Sequence, residues 1–342
     1  MIEAQGIVAE VIFPNTVPPF FPHSVISAAG PATREEYERR WAGVQAHNRW
    51  LTDFCALVPG KRLGIAQLFV YDVDDAVAEV KFAHANGLKG VLLPANHFHG
   101  LVHWFLPKYD PLWRICEELE MPVHCHGVIP SDPVGPETGD ASAAIGAFEA
   151  STLGHRPLHH FLLSGVFERF PGLKLVMTEL LAAWIPPLLQ SLDGFCDAAR
   201  DPNQILFTFA NDLVKKMPRK PSEYFSTNCY AATFFTEADK PAYAALGTDR
   251  LMWGADFPHH EGVVPYVNEA LRASFAGLSE ADIRKMTSLN AVDLYGLDLD
   301  EIQAVGDRIG PRPAEIGQPL TAAEWPADCM GMTFSMSPMP AG

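Results

Sequence analysis

The 342-residue chain is short of positive charge, short of cysteine and without a long apolar run, and each shortage removes a class of function. Lys and Arg number 25 against 41 Asp and Glu, a formal net charge of −16. Such a field repels phosphate backbones and anionic lipid, so neither nucleic acid nor a membrane surface is expected as a partner. No stretch approaches the roughly 20 apolar residues a membrane helix requires. The opening MIEAQGIVAE carries Glu3 and no basic segment, unlike a secretory signal. The six cysteines (Cys55, Cys116, Cys125, Cys196, Cys229 and Cys329) are scattered, with no C-x-x-C pair. They make neither a disulfide framework nor a thiolate metal site, and a cytoplasmic location is expected. The chain also has no glycine-rich phosphate loop and no Ser/His/Asp order that would support acyl transfer.

What remains is a globular composition, 48% hydrophobic and 19% charged, long enough to bury a sizeable core. Strand-like and helix-like stretches alternate. The β-rich runs are GIVAEVIF (6–13), LGIAQLFV (63–70), GVLLP (90–94), MPVHCH (121–126), LKLVMTE (173–179), YFSTNCY (224–230) and LMWGAD (251–256). Helical spacing lies between most of them. Thr33 and Glu36 form a capping box ahead of Tyr37, Trp41, Val44, Leu51 and Phe54, and Asp72 can cap a helix ending near Gly87. Further helical patterns run over 109–119, 141–152, 182–197 and 236–246, and two more over 264–275 and 280–294, the last capped by Ser279. Near-continuous apolar strands separated by helices predict a parallel sheet covered on both faces, an α/β chain of the (β/α)8 TIM-barrel type. Only seven strands are found, one short of the full barrel. A single domain is expected over 1–310, followed by an irregular tail over 311–342 whose composition loses periodicity.

In a parallel barrel the chemistry sits at the C-terminal ends of the strands. Here those ends carry His124 and His126, Glu179, and Asp256. Imidazole and carboxylate are the donors that borderline and hard divalent metals take. Any one of them could equally be a buried side chain hydrogen-bonded to a loop, but three strand ends carrying ligand types shift the balance toward a metal site. His124 and His126 are two apart, so on a strand they share a face, with Cys125 turned to the helix layer and packing there. His124 has two readings, a substrate contact or a core histidine. The loop ANHFHGLVHW (95–104) adds His97, His99 and His103, which read as solvated loop histidines before substrate contacts. His159 and His160 read as helix-capping or packing residues, and Trp184 as core or pocket wall.

The segments YDPLWRICEELEMPVHCHG (109–127), SGVFERFPGLKLVMTELLAAWIPPLLQSLD (164–193), LMWGADFPHHEG (251–262) and SLNAVDLYGLD (288–298) resemble the amidohydrolase-related family in order and spacing. That family comprises metal-dependent TIM-barrel decarboxylases and hydrolases, aminocarboxymuconate-semialdehyde decarboxylase among them. The resemblance implies metal ligands at His126 on the fifth family strand, at Glu179 on the sixth, where better-known members have histidine, and at Asp256 on the eighth. Leu180-Leu181 replaces the usual Gly-Gly after the sixth-strand position. The family's first-strand His-x-His has no counterpart. GIVAEVIF is therefore expected to be the second family strand. Either Met1 is an internal start, the favoured reading, or the chain lacks that first strand and two ligands. With an internal start the barrel is expected to be open between GIVAEVIF and LMWGAD.

The resemblance implies a divalent ion, zinc first and manganese second, and a small carboxylate substrate, with a homodimer by family analogy. His126, Glu179 and Asp256 are expected to bind the ion. Asp256, His259 and His124 are the catalytic candidates, and His260 and Trp184 the substrate contacts. The activity is hydrolysis or non-oxidative decarboxylation. The alternative is an impaired barrel that serves as a binding or oligomer-forming subunit.

Overall fold

The computed structural model describes residues 2–14, 17–21, 30–94, 103–127, 139–210 and 212–339. His97 and His99 lie outside them. The chain forms two compact units, one of residues 11–180 with 191–229, the other of 1–10, 181–190 and 230–342. Seven strands occur among the described residues: β1 (Glu10–Ile12), β2 (Arg62–Gln67), β3 (Gly90–Leu92), β4 (Val123–His126), β5 (Leu175–Thr178), β6 (Cys229–Thr233) and β7 (Leu251–Trp253). With helices in between, this is the expected α/β chain of the (β/α)8 type, with seven strands rather than eight.

In the first unit β2, β3, β4 and β5 pair in sequence order, all parallel, and the register runs Gln67↔Leu92↔His124↔Val176. The alternation that assigns faces is visible at two glycines. A side chain at Gly64 would meet Leu51 and Cys55 of the helix Arg34–Ala56, which marks the outer face. A side chain at Gly90 would meet Ile65 Cδ1 and His124 Nε2, both at 3.0 Å, which marks the opposite, inner face. Phe13, just past β1, touches the rings of His124 and His126 at centroid distances of 5.1 and 5.3 Å. In a flat sheet β1 and β4 would stand roughly 14 Å apart, so this part of the sheet curls, with Phe13 and the two histidines on its concave side.

Capping signals are realised where the sequence places them. Thr33 Oγ1 accepts from Glu36 N–H, while the Glu36 carboxylate reaches back one residue further than a capping box requires, to Ala32 N–H. Asp72 accepts from Asp74 and Asp75 at the start of Val73–Ala85. In the second unit Ser279 accepts from Asp282 N–H, but the helix expected over 280–294 is interrupted. A π-helical turn over Lys285–Leu289 separates Glu280–Arg284 from Asn290–Tyr295. Asn290 then donates to the carbonyls of Thr248 and Leu251, both at 2.7 Å, and so pins the start of β7.

One element is displaced from its expected place. Residues 224–228, read as strand from their aromatic and β-branched content, end a helix, Pro221–Asn228, and β6 begins at Cys229. Pro221 sits in the first helical turn, and Glu223 accepts from Lys220 N–H at 2.7 Å. Tyr224, Phe225 and Asn228 form its buried side. Local capping chemistry thus prevails over composition. The helix Leu299–Ile309, capped by Asp298, carries no signal singled out in the sequence. The tail contains two short helices, Pro313–Ile316 and Met332–Ser335, and buries Ile316, Leu320 and Phe334.

Candidate active site

The candidate residues fall in both units. In the first unit β4 delivers His124 and His126 to the inner face. His124 is fully buried, with Nδ1 3.3 Å from Thr178 Oγ1. Burial, with a smaller contribution from neighbouring His126, lowers its pKa to about 3, so the ring is neutral at physiological pH. Cys125, on the helix-facing side, is also buried, and burial pushes its thiol well above the ordinary range. That suits packing and not nucleophilic attack.

His126 sits differently. Its Nδ1 lies 2.6 Å from the carbonyl oxygen of Gly127, which can only accept, so Nδ1 carries the proton. Nε2 then faces Glu179 Oε2 at 2.9 Å. A ring nitrogen lone pair and a carboxylate oxygen at that distance repel unless a cation joins them. Either a second proton or a metal ion satisfies the pair. An imidazole whose far nitrogen is committed to a backbone carbonyl is also how metal-binding histidines are commonly oriented.

Glu179 follows β5 directly and has a left-handed backbone, φ 56°. Leu181, in the place of the family's second glycine, is at φ 58°. Asp256, beyond β7, is at φ 53°. Residues with side chains adopt this region at a cost of about 1–2 kcal/mol, so at both candidate carboxylates the strand turns away sharply. Leu180 is buried, and its Cδ2 fills the space beside Gly154 and Gly127.

In the second unit Asp256, His259 and Glu261 each place one ligand atom within 4.8 Å of the others. His259 Nδ1 is 2.9 Å from Asp256 Oδ1 and 3.8 Å from Glu261 Oε1. Two carboxylates beside one imidazole suit a divalent cation. The loop is closed by His259 N–H to Asp256 O and Val263 N–H to Ala255 O, both at 3.0 Å. Gly262 is required there, because a side chain would run into the carbonyls of Asp256 and Ala255. The tail secures the same loop through Met332 N–H to Glu261 O at 2.9 Å.

His260, three residues before Val263, is exposed. Trp184 is half-buried at the start of the helix Ile185–Arg200. The turn before it is fixed by buried Asp239, which accepts from the N–H groups of Ala182 and Ala183 at 2.7 and 2.8 Å. His103 is exposed, and His159 and His160 lie inside the helix Arg156–Leu163, where His160 meets Phe105 edge-on. Three contributors were not singled out in the sequence as site residues: Phe13, Thr178 and Glu261. Thr178, in β5, and Phe13, just past β1, carry no local signal. Glu261 lies in LMWGADFPHHEG (251–262), one of the segments that carry the family resemblance, close to the candidates Asp256 and His259.

Residues 14–297 match the family model described as amidohydrolase. The chain is 26% identical over 302 residues to gamma-resorcylate decarboxylase of Rhodococcus jostii (strain RHA1), a match spanning 80% of this chain and 83% of that one. It is 25% identical over 298 residues to the enzyme of the same name from Rhizobium sp. (strain MTP-10005), spanning 80% and 83%. Among solved structures, 2,6-dihydroxybenzoate decarboxylase from Rhizobium superposes with a TM-score of 0.64 at 21% identity, covering 86% of each chain. A 5-carboxyvanillate decarboxylase from Novosphingobium aromaticivorans, with bound manganese, gives 0.67 at 19% identity, covering 86% of this chain and 78% of that one. These two share the fold.

Proposed function

The chain belongs to the amidohydrolase family, and from that premise we propose that it is a divalent-metal-dependent carboxy-lyase that removes CO2 from a small hydroxylated aromatic carboxylate. Membership makes it a metal-dependent hydrolase or carboxy-lyase. The narrower choice follows its relatives, named as decarboxylases over four-fifths of the chain. The observation that carries the reading is the His126–Glu179 contact, in which a proton-committed imidazole and a carboxylate face each other at 2.9 Å and call for a cation.

In this reading His126 and Glu179 hold the ion, and Asp256, beside His259 and Glu261, is the candidate donor of the other unit. The ion, when bound, supplies Lewis-acid polarisation of substrate oxygens and neutralises carboxylate charge. The carboxylate-rich donor set suits manganese at least as well as the expected zinc. Loss of CO2 breaks the ring-to-carboxyl bond and leaves its electron pair on the ring carbon, which then takes a proton. The reading gives that proton to His259, which is held against Asp256. His124, kept neutral by burial, positions His126 and Phe13 instead of supplying a proton. His260 and Trp184 bound the substrate. Among the described residues no helix is long and apolar enough to cross a membrane, and all six cysteines are thiols, which supports a cytoplasmic, freely diffusing enzyme. A homodimer is the assembly to test by sedimentation.

The deciding experiment incubates the purified protein with Mn2+ or Zn2+ and 2,6-dihydroxybenzoate and measures CO2 together with 1,3-dihydroxybenzene. Equimolar formation of both, abolished by a chelator and restored by metal, is expected. Hydrolysis of aryl esters or lactones with no CO2 released from any hydroxybenzoate would replace the lyase reading with a hydrolase.

A further inference from the structure

The last residue of β2 is a glutamine whose amide has no evident structural duty. Gln67 is 2% exposed, and among the described residues its Oε1 has no hydrogen-bond partner. An unsatisfied buried acceptor is costly, and an apolar side chain of the same shape would avoid the cost. The backbone of Gln67, in contrast, is held with unusual care. Asn48, itself fully buried on the helix Arg34–Ala56, donates to Gln67 O and accepts from Gln67 N–H, each at 2.9 Å. Asn48 is in turn fixed by Glu79 Oε1 at 2.9 Å, and Glu79 pairs with Arg49. Three buried or half-buried polar side chains thus fix the end of one strand.

The direction of the Gln67 side chain follows from the register. Gly64 faces the helix layer, so Ile65 and Gln67 face inward. Parallel partners share a face, and Gln67 pairs with Leu92, which pairs with His124. His126 is one step further along β4 on that same face, and Phe13 lies against both rings. Two strand spacings, roughly 10 Å in a flat sheet and less in a curled one, separate the glutamine from the histidine strand. That is the span of one substituted benzene ring.

We propose that Gln67 is a substrate-binding residue: its buried amide oxygen, held on the concave face shared with His126, accepts a hydrogen bond from a ring hydroxyl of the bound aromatic carboxylate. The proposal rests on the decarboxylase reading given above and goes beyond it in assigning selection for the hydroxyl to one side chain. A bound hydroxyl would satisfy the orphaned acceptor. A ligand lacking it would leave the acceptor buried and unpaired, which is how a polar pocket rejects an analogue missing one group.

The test uses the Mn2+-supplemented full chain and two unreactive probes, 2-nitroresorcinol and nitrobenzene, in which a nitro group stands for the carboxylate. Binding is measured by calorimetry, with metal content and thermal unfolding recorded for each variant. Wild type should prefer the hydroxylated probe by about tenfold or more. Gln67→Met should fold at least as stably, keep its metal and its affinity for nitrobenzene, and lose most of that preference. Gln67→Asn, which withdraws the amide by one methylene, should lose it as well and carries the test if the methionine variant does not fold. Variants that bind 2-nitroresorcinol as wild type does would overturn the Gln67 assignment while leaving the enzymatic reading intact. A metal-loaded wild type that binds neither probe would overturn both.

Discussion

His126 Nε2 and Glu179 Oε2 stand 2.9 Å apart at the ends of adjacent parallel strands, while the other nitrogen of the same ring is bound to the Gly127 carbonyl. The two contacts together leave a position that only a proton or a metal ion fills. His126→Ala removes the nitrogen donor and leaves the backbone untouched. Metal affinity should fall by about 100-fold or more, beyond the 10–100-fold typical of losing an outer-shell partner, with the melting temperature of the metal-free protein changing far less. Equal metal content in mutant and wild type after dialysis would remove His126 from the ligand set.

Metal binding should also be visible as stability. An ion that binds only the folded chain adds about 2.7 kcal/mol at a hundred times its Kd. Adding Mn2+ should therefore raise the melting temperature of wild type by several degrees and that of Glu179→Gln by much less. Equal shifts in the two proteins would exclude Glu179 as a ligand.

Gly262 lies where a side chain would press on two backbone carbonyls, those of Asp256 and Ala255, the latter at 2.9 Å. Neither can swing away as a flexible side chain would. Gly262→Ala should destabilise the protein by about 1–3 kcal/mol and, by displacing Asp256 and His259, lower kcat by more than about tenfold. Denaturant unfolding and steady-state kinetics of one preparation separate the two effects. An alanine variant with wild-type values in both would show that the loop is not closed this tightly.

Asn48 joins the backbone of Gln67 to buried Glu79. Asn48→Leu fits the volume but leaves the N–H and carbonyl of Gln67 without that partner and takes one donor from Glu79, which keeps Arg49, at an expected cost of about 3 kcal/mol. Urea unfolding should show a lower midpoint with an unchanged slope. A loss under 1 kcal/mol would mean that water or the neighbouring strands replace the clamp.

Acid should weaken the protein through histidines away from the site. Burial first, then the neighbouring His159, hold His155 and His160 at about 4. Their ordinary value is near 6.5, so between pH 6.5 and 4 the unfolded chain binds more protons than the folded one. Stability is therefore full above about pH 6.5 and falls as the pH drops toward 4. The double variant His155→Gln/His160→Gln should lose visibly less of its melting temperature between pH 7 and 5 than wild type. Parallel curves for the two proteins would refute this source of acid sensitivity.

The sequence by itself determined the alternation of apolar strands and helices, most of the caps, and the placing of imidazole and carboxylate groups at strand ends. Those features are local: periodicity, a capping side chain and its partner three residues on, or a charged residue where an apolar run stops. The resemblance also marked Leu180-Leu181 as standing where the family has Gly-Gly, and there Leu180 is buried and Leu181 left-handed. The sequence misplaced the helix Pro221–Asn228, because aromatic and β-branched residues suit a strand and a well-capped helix alike. Only the tertiary structure decided which histidine is neutral and which faces a carboxylate. His124 and His126 are the same residue type two positions apart, and their difference comes from Thr178, Gly127 and Glu179, which the fold brings from β5 and the turns beyond the strands. That Gln67 Oε1 has no partner among the described residues was equally hidden. Whether a buried polar atom has a partner depends on every neighbour around it, and no single stretch of chain records those neighbours.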